Sequence, residues 1–207
     1  MKVDKRLLSA VVATVIGLPG HVQAESIFIE NAGFEQEQML DGYYFTGSPS
    51  GWTVTGDLGG VFNPTSFHFL SEAPEGQNTA WSHNAAFSQV LDDVLTVNTS
   101  YALSIDIGDR LDMNLGAYFV ELWAGDSKLA SAIPVVPESG GFSTVIVTYE
   151  ALVGDLNAGS ALMIRFGSSS PTTNFDIVRL NTTLIPTPGP LALLVLAGAV
   201  AGRRRRR

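Results

Sequence analysis

Apolar and polar residues alternate through most of the middle of this 207-residue chain. A period of two marks a strand with one buried face. Ser100–Ile107 is the clearest case: Tyr101, Leu103, Ile105 and Ile107 face one way, Ser104 and Asp106 the other. Ala117–Ala124 sets Tyr118, Val120 and Leu122 against Phe119, Glu121 and Trp123. The pattern predicts further strands at Ser26–Glu30, Phe142–Tyr149, Ala161–Phe166 and Asn174–Leu180. Shorter ones fit Gly51–Val54, Val61–Asn63, Phe67–Leu70, Asn78–Ser82 and Phe87–Leu91. Gly59-Gly60, Glu75-Gly76 and Gly140-Gly141 read as turns between them. No intervening run of ten residues has a helical period. The expected fold is all-β, an antiparallel jelly-roll β-sandwich.

The two ends follow other rules. Lys2, Lys5 and Arg6 precede the apolar run Leu7–Leu18, and Pro19-Gly20 breaks it. Small residues at Val22 and Ala24 then fit a signal-peptide cut between Ala24 and Glu25. At the other end Pro186, Pro188 and Pro190 lead into Leu191–Gly202, twelve residues without a charge, and five arginines follow. Twelve helical residues cover roughly 18 Å of a ~30 Å hydrocarbon core, a marginal span. The arginine block favours a cytoplasmic C-terminus. The chain divides accordingly into a signal peptide (1–24), a β-sandwich domain (25–183) and a tail (184–207).

Charge narrows the partners. Between Glu25 and Pro190 stand four cations and nineteen acids, a formal charge of −15. Such a surface repels phosphate backbones, so nucleic acid is not an expected partner, while calcium is compatible with it. The chain has no cysteine, which removes disulfides, thiolate metal sites and a Cys nucleophile. No Gly-x-Ser-x-Gly elbow or His-x-x-x-His spacing occurs.

The tail resembles the PEP-CTERM sorting signal of Gram-negative bacteria: Pro188-Gly189-Pro190 in place of the usual Pro-Glu-Pro, the apolar stretch, then Arg203, Arg204, Arg205, Arg206 and Arg207. The resemblance implies handover to an exosortase-type sorting enzyme and a transient anchor in the cytoplasmic membrane. It further implies export to the cell surface or extracellular matrix.

Three motifs stand in order within the domain: Glu30-Asn31-Ala32-Gly33-Phe34-Glu35, Glu75-Gly76-Gln77-Asn78-Thr79-Ala80-Trp81, and Asn174-Phe175-Asp176-Ile177-Val178-Arg179-Leu180. This order resembles the galactose-binding-like jelly rolls of carbohydrate-binding modules. That resemblance implies a structural Ca2+ held by Glu35, the Gly33 carbonyl and Asp176, with Glu75 as a weaker ligand. Gly59–Pro64 and Gly108–Asp112 resemble motifs of PEP-CTERM proteins, and the Stig cyclases of cyanobacterial indole alkaloid pathways look similar over the same stretch.

Sugar binding needs an aromatic platform with polar neighbours. Trp123 with Glu121, Asp106 and Arg165 meets that need, and Trp81 is a further candidate. Alternatively, Glu121 and Arg165 form a cross-strand ion pair and Trp123 caps the core. The main expectation is a non-enzymatic, polysaccharide-binding surface protein stabilised by calcium. A second is a Stig-cyclase-like enzyme in which Asp176 donates a proton from an apolar pocket, its pKa raised by desolvation. A third is a purely structural matrix protein. An ionised calcium ligand and a proton donor are incompatible roles for Asp176.

Overall fold

Leu103, Ile105 and Ile107 are wholly buried, as their alternation requires, because their strand has one face in the core and one outside. The computed structural model describes residues 24–186, so the signal segment before Ala24 and the sorting motif and arginines of the tail lie outside the described residues. Ten strands follow one another: β1 (Glu25–Ile27), β2 (Tyr44–Thr46), β3 (Thr53–Phe62), β4 (Thr79–Val94), β5 (Thr99–Gly108), β6 (Tyr118–Ala124), β7 (Ser127–Ser131), β8 (Phe142–Ala151), β9 (Ala161–Ser168) and β10 (Thr173–Leu184). All pairings are antiparallel. One layer runs β2-β3-β4-β9-β6-β7 and the other β1-β10-β5-β8. The layers join at one seam, where Thr173–Phe175 pairs with Ala80–Ser82. The result is the expected all-β sandwich.

The core lies between the layers. Phe87, Val120, Leu122, Ile164 and Phe166 from one face Leu103, Ile105, Val145, Val147 and Leu180 from the other. An aromatic group fills its centre: Phe166 stacks on Phe87 with centroids 5.1 Å apart and touches Phe175 at 4.8 Å and Trp52 at 5.2 Å.

The strand map departs from the expectation in four places. The segments predicted at 51–54 and 61–63 form one strand, β3, which passes through Gly59-Gly60 instead of turning there. A Cβ on Gly60 would overlap the Phe45 carbonyl of β2, so glycine admits a neighbouring backbone. The segments at 78–82 and 87–91 likewise merge into the 16-residue β4. Phe67–Leu70 is not a strand: the His68 and Phe69 amides both bond back to the Thr65 carbonyl, which closes a turn after Pro64. The three-residue β2 and the mostly exposed β7 are additional.

Gly60→Ala should detach β2 at a cost of roughly 1–3 kcal/mol, the usual range for overpacking. A urea melt monitored by Trp81 fluorescence checks this, since the Trp81 indole N–H donates to the Phe45 carbonyl at 3.1 Å.

Candidate functional site

The strands end at two poles. At one lie both chain exits. At the other, the loops 30–37, 63–78 and 109–116 gather around the start of β10. Hydrogen bonding along β10 is interrupted here: its register against β5 slips between Asp176 and Arg179, and Ile177 takes a left-handed φ of 47°. A β-branched residue held so costs about 1–3 kcal/mol, and such strain concentrates at functional sites. The bulge follows Asp176, which still pairs with Asp106, and leaves Ile177 and Val178 out of the ladder. The Asp176 side chain is fully buried, with Oδ1 accepting from the Ile177 amide at 2.8 Å and Oδ2 from the Glu75 amide at 3.0 Å.

Among the described residues no cation pairs with Asp176. Burial pushes its pKa up to about 8. The two amide hydrogen bonds oppose the rise, and the charges of Glu75 and Glu35 add to it. The folded state therefore holds a proton that the unfolded chain releases near pH 4. Between these values the native protein binds more protons than the unfolded one, so stability falls as pH rises and the loss levels off above about pH 8. In chelator, the melting temperature of the wild type should fall between pH 5 and pH 8 relative to Asp176→Asn. Parallel curves would contradict the buried neutral acid.

Glu35, Gly33, Glu75 and Asp176 come together at this pole from three distant segments. Glu35 Oε1 accepts from the Gln77 and Asn78 amides at 3.0 and 2.7 Å. The Glu75 carboxyl lies against Gly33, where an added Cβ would stand 3.1 Å from Glu75 Cδ. The Glu35 carboxyl covers Gly76 in the same way. Oxygen donors of this kind suit calcium. Among the described residues, however, no three His, Asp or Glu side chains form a ready metal-binding cluster. Glu35 and Glu75 are exposed, so an ion would have to draw them in.

Two buried asparagines that sequence reasoning missed complete this pole. Asn78 Nδ2 donates to the Phe34 and Glu37 carbonyls, and Asn174 Nδ2 donates to Thr79 Oγ1. The Oδ1 atoms of both have no partner. An orphaned buried acceptor is costly, so both positions carry an energetic penalty within the fold. The available signal was an Asn beside an apolar strand in two of the three motifs.

An open cavity of about 490 Å³ lies beside these groups, lined by Asp41, Asn63, Phe69, Leu70 and Gly76, among others. Its wall is the loop that carries Glu75. Nearby, Arg110 grips Asp112 through two hydrogen bonds of 2.8 and 2.6 Å and covers the Phe62 ring at 4.7 Å. The bond from Arg110 holds Asp112 below the usual carboxylate range, whereas burial pushes Asp109 up. His68 packs edge-on to Phe62, and its Nδ1 accepts from the Thr65 amide at 3.1 Å. Burial first, then the Arg110 charge, lowers its pKa, so it is neutral at pH 7.

The sugar-face residues divide. Glu121, Trp123 and Arg165 meet on the outer face of β6 and β9. Glu121 Oε2 accepts from Trp123 Nε1 at 2.9 Å and Arg165 Nη1 at 3.0 Å, and Oε1 accepts from Lys128 at 3.2 Å. Burial raises the Glu121 pKa, but these three donors outweigh it and hold the carboxyl below its usual range. Asp106 and Trp81 are elsewhere. Asp106 sits on β5 and accepts from Thr144, and Trp81 lies at the seam against Tyr44.

The sandwich is also the form of known cyclases. The Stig cyclase Fisc of Fischerella sp. TAU, in complex with (3Z)-3-(1-methyl-2-pyrrolidinylidene)-3H-indole, matches at 30% identity and a TM-score of 0.74, covering 79% of this chain and 100% of that one. A cyclase from the same organism in complex with 4-(1H-indol-3-yl)butan-2-one matches at 31% identity and a TM-score of 0.72, with the same coverage. The family model described as HpiC1 cyclase matches residues 25–181. The chain belongs to the HpiC1-like cyclase family. No curated protein sequence matches it. Membership overturns the main functional expectation: this is a cyclase-family enzyme fold, not a non-enzymatic polysaccharide-binding protein. The physical source of the error is that one jelly-roll fold hosts either role, so the fold and its motif order do not decide between them.

Proposed function

We propose that this protein is a cyclase acting on an indole-bearing substrate, with Asp176 as its proton donor. The observation that carries the reading is a fully buried carboxyl on a bulged strand, with no cation paired to it among the described residues, held by the Glu75 amide of the loop whose other residues line the open cavity. Indole ligands are bound by its structural relatives. A neutral carboxylic acid transfers its proton to a carbon of the electron-rich ring and becomes a carboxylate. The resulting cation is attacked by a π bond of the same molecule, which closes the new ring. Loss of a proton then restores the acid, so the net change is an isomerisation. Proton transfer of this kind contributes about 10²–10⁴-fold. The test is binding of 4-(1H-indol-3-yl)butan-2-one by calorimetry. Saturable binding that weakens when Phe69 is replaced by alanine supports the reading, and no binding to the wild type contradicts it.

The meeting of Glu35, Gly33, Glu75 and Asp176 at one pole favours a second reading. In it Ca2+ is held by Glu35, the Gly33 carbonyl, Glu75 and Asp176, which clips the start of the domain to its last strand. A bound ion would keep Asp176 ionised and remove it as an acid. Chelator then lowers the melting temperature, and Asp176→Asn abolishes that response. Under the first reading chelator changes neither.

Export rests on the ends of the sequence. We propose removal of residues 1–24, recognition of the tail by an exosortase-type enzyme, and delivery to the cell surface or matrix. Mass spectrometry of the mature C-terminus tests this: loss of the five arginines supports sorting, and an intact tail on released protein contradicts it.

A further inference from the structure

The pole opposite Asp176 carries an apolar tip. It is built from the ends of β4, β5, β8 and β10, where Leu184 stands opposite Thr99 and Thr99 opposite Ala151. The loop that follows β8 exposes Leu152 by 56%, Val153 by 77% and Leu156 by 99%, and Leu184 beside it is 69% exposed. Loops this apolar usually fold inwards, but this one is held open. The Gly159 amide donates to the Leu95 carbonyl at 2.8 Å and the Ser160 amide to Asn157 at 3.0 Å. The loop's one charge is turned back on itself: Asp155 accepts from the Tyr149 hydroxyl and from the Asn157 amide. A fixed apolar tip whose loop carboxylate is bonded internally, with exposed Asp92, Asp93 and Glu150 behind it on the ends of β4 and β8, is the form of an interaction surface.

The path of the chain says what meets it. Glu25 pairs with Thr182, so both ends leave from this pole. The Ile185 amide, bonded to the Asn98 carbonyl at 2.7 Å, fixes where the chain departs. Six residues further on, at most roughly 20 Å of extended chain, the uncharged stretch Leu191–Gly202 begins. A bilayer that accepts that stretch therefore lies within reach of the tip, and tethering makes even a weak contact effective. We propose that Leu152, Val153, Leu156 and Leu184 form a membrane-contact surface that seats this pole on the lipid bilayer entered by the tail. The sandwich then stands upright, with Asp176 roughly 25 Å from the tip along β10 and its pole facing away from the lipid. The domain charge of −15 disfavours an anionic surface, so the contact is apolar and is made with zwitterionic lipid.

The inference rests on the membrane reading of the tail, and the test keeps the two apart. The chain has no cysteine, so single Val153→Cys, Ala199→Cys and Ser139→Cys variants of the full chain each carry one environment-sensitive fluorophore in phosphatidylcholine vesicles. The expected result is a blue shift and loss of quenching by aqueous iodide at positions 153 and 199, with full quenching at 139. Quenching at 153 with protection at 199 overturns this inference alone. Quenching at both overturns the tail reading and this inference with it. Protection at 153 without vesicles, growing with protein concentration, assigns the tip to a second copy of the chain and also overturns it.

Discussion

Asp176→Asn lowers the rate of cyclisation by about 10²–10⁴-fold, the usual contribution of a positioned general acid. The amide keeps the shape of the side chain, and its Oδ1 still accepts from a backbone amide. What it lacks is the transferable proton. The substitution removes a carboxyl whose ionised form is penalised by complete burial, but Nδ2 cannot accept from the second backbone amide, so a loss of about 1–3 kcal/mol of stability accompanies it. The measurement is product formation from an indole-bearing substrate, with melting curves of both proteins in chelator. Activity within a few-fold of wild type, on a folded variant, removes Asp176 from the chemistry. A variant that melts well below wild type only when calcium is present identifies Asp176 as an ion ligand instead.

Phe166→Ala destabilises the domain by about 3–5 kcal/mol, the range for deleting a buried aromatic ring. Phe166 is wholly buried and touches four aromatic rings. It stacks on Phe87 at an interplanar angle of 7° and contacts Phe175 at 4.8 Å, Trp52 at 5.2 Å and Phe34 at 6.2 Å. Phe175 directly precedes Asp176, so the cavity left behind also loosens the bulge. The melting temperature should fall by roughly 10 °C for a domain of this size. Urea denaturation checks the free energy, and Phe166→Leu should recover about half of it. A loss below about 1 kcal/mol would mean that the neighbouring rings collapse into the space.

Legibility differed from strand to strand for physical reasons. β5 was readable because it lies inside its layer with one face in the core, which imposes a period of two. β3 was split in the sequence reading because Gly59-Gly60 looks like a turn. Its true role, admitting the backbone of β2, requires knowledge of a partner strand that local sequence does not contain. Phe67–Leu70 has the composition of a strand, but Pro64 and the Thr65 carbonyl close a turn there. Alternation also does not say which layer a strand joins, so it allows Asp106 on the Trp123 face although Asp106 lies on β5 in the other layer. The grouping of Glu35, Gly33, Glu75 and Asp176 comes from the resemblance to carbohydrate-binding modules, and those residues do share one pole. Asn78 and Asn174 were overlooked because burial alone distinguishes them from ordinary edge-strand polar residues. Catalysis was harder to read than fold. An Asp on a closing strand is written identically whether it holds a proton or an ion, and its lack of a counter-cation appears only after folding.

The central claim is that Asp176 holds a proton at neutral pH. Carbon NMR of the aspartate side-chain carboxyls, titrated from pH 4 to pH 10 in calcium-free buffer and assigned by the signal missing from Asp176→Asn, measures it directly. A midpoint near 8 is the predicted result. A resonance already that of a carboxylate at pH 5 would contradict the account.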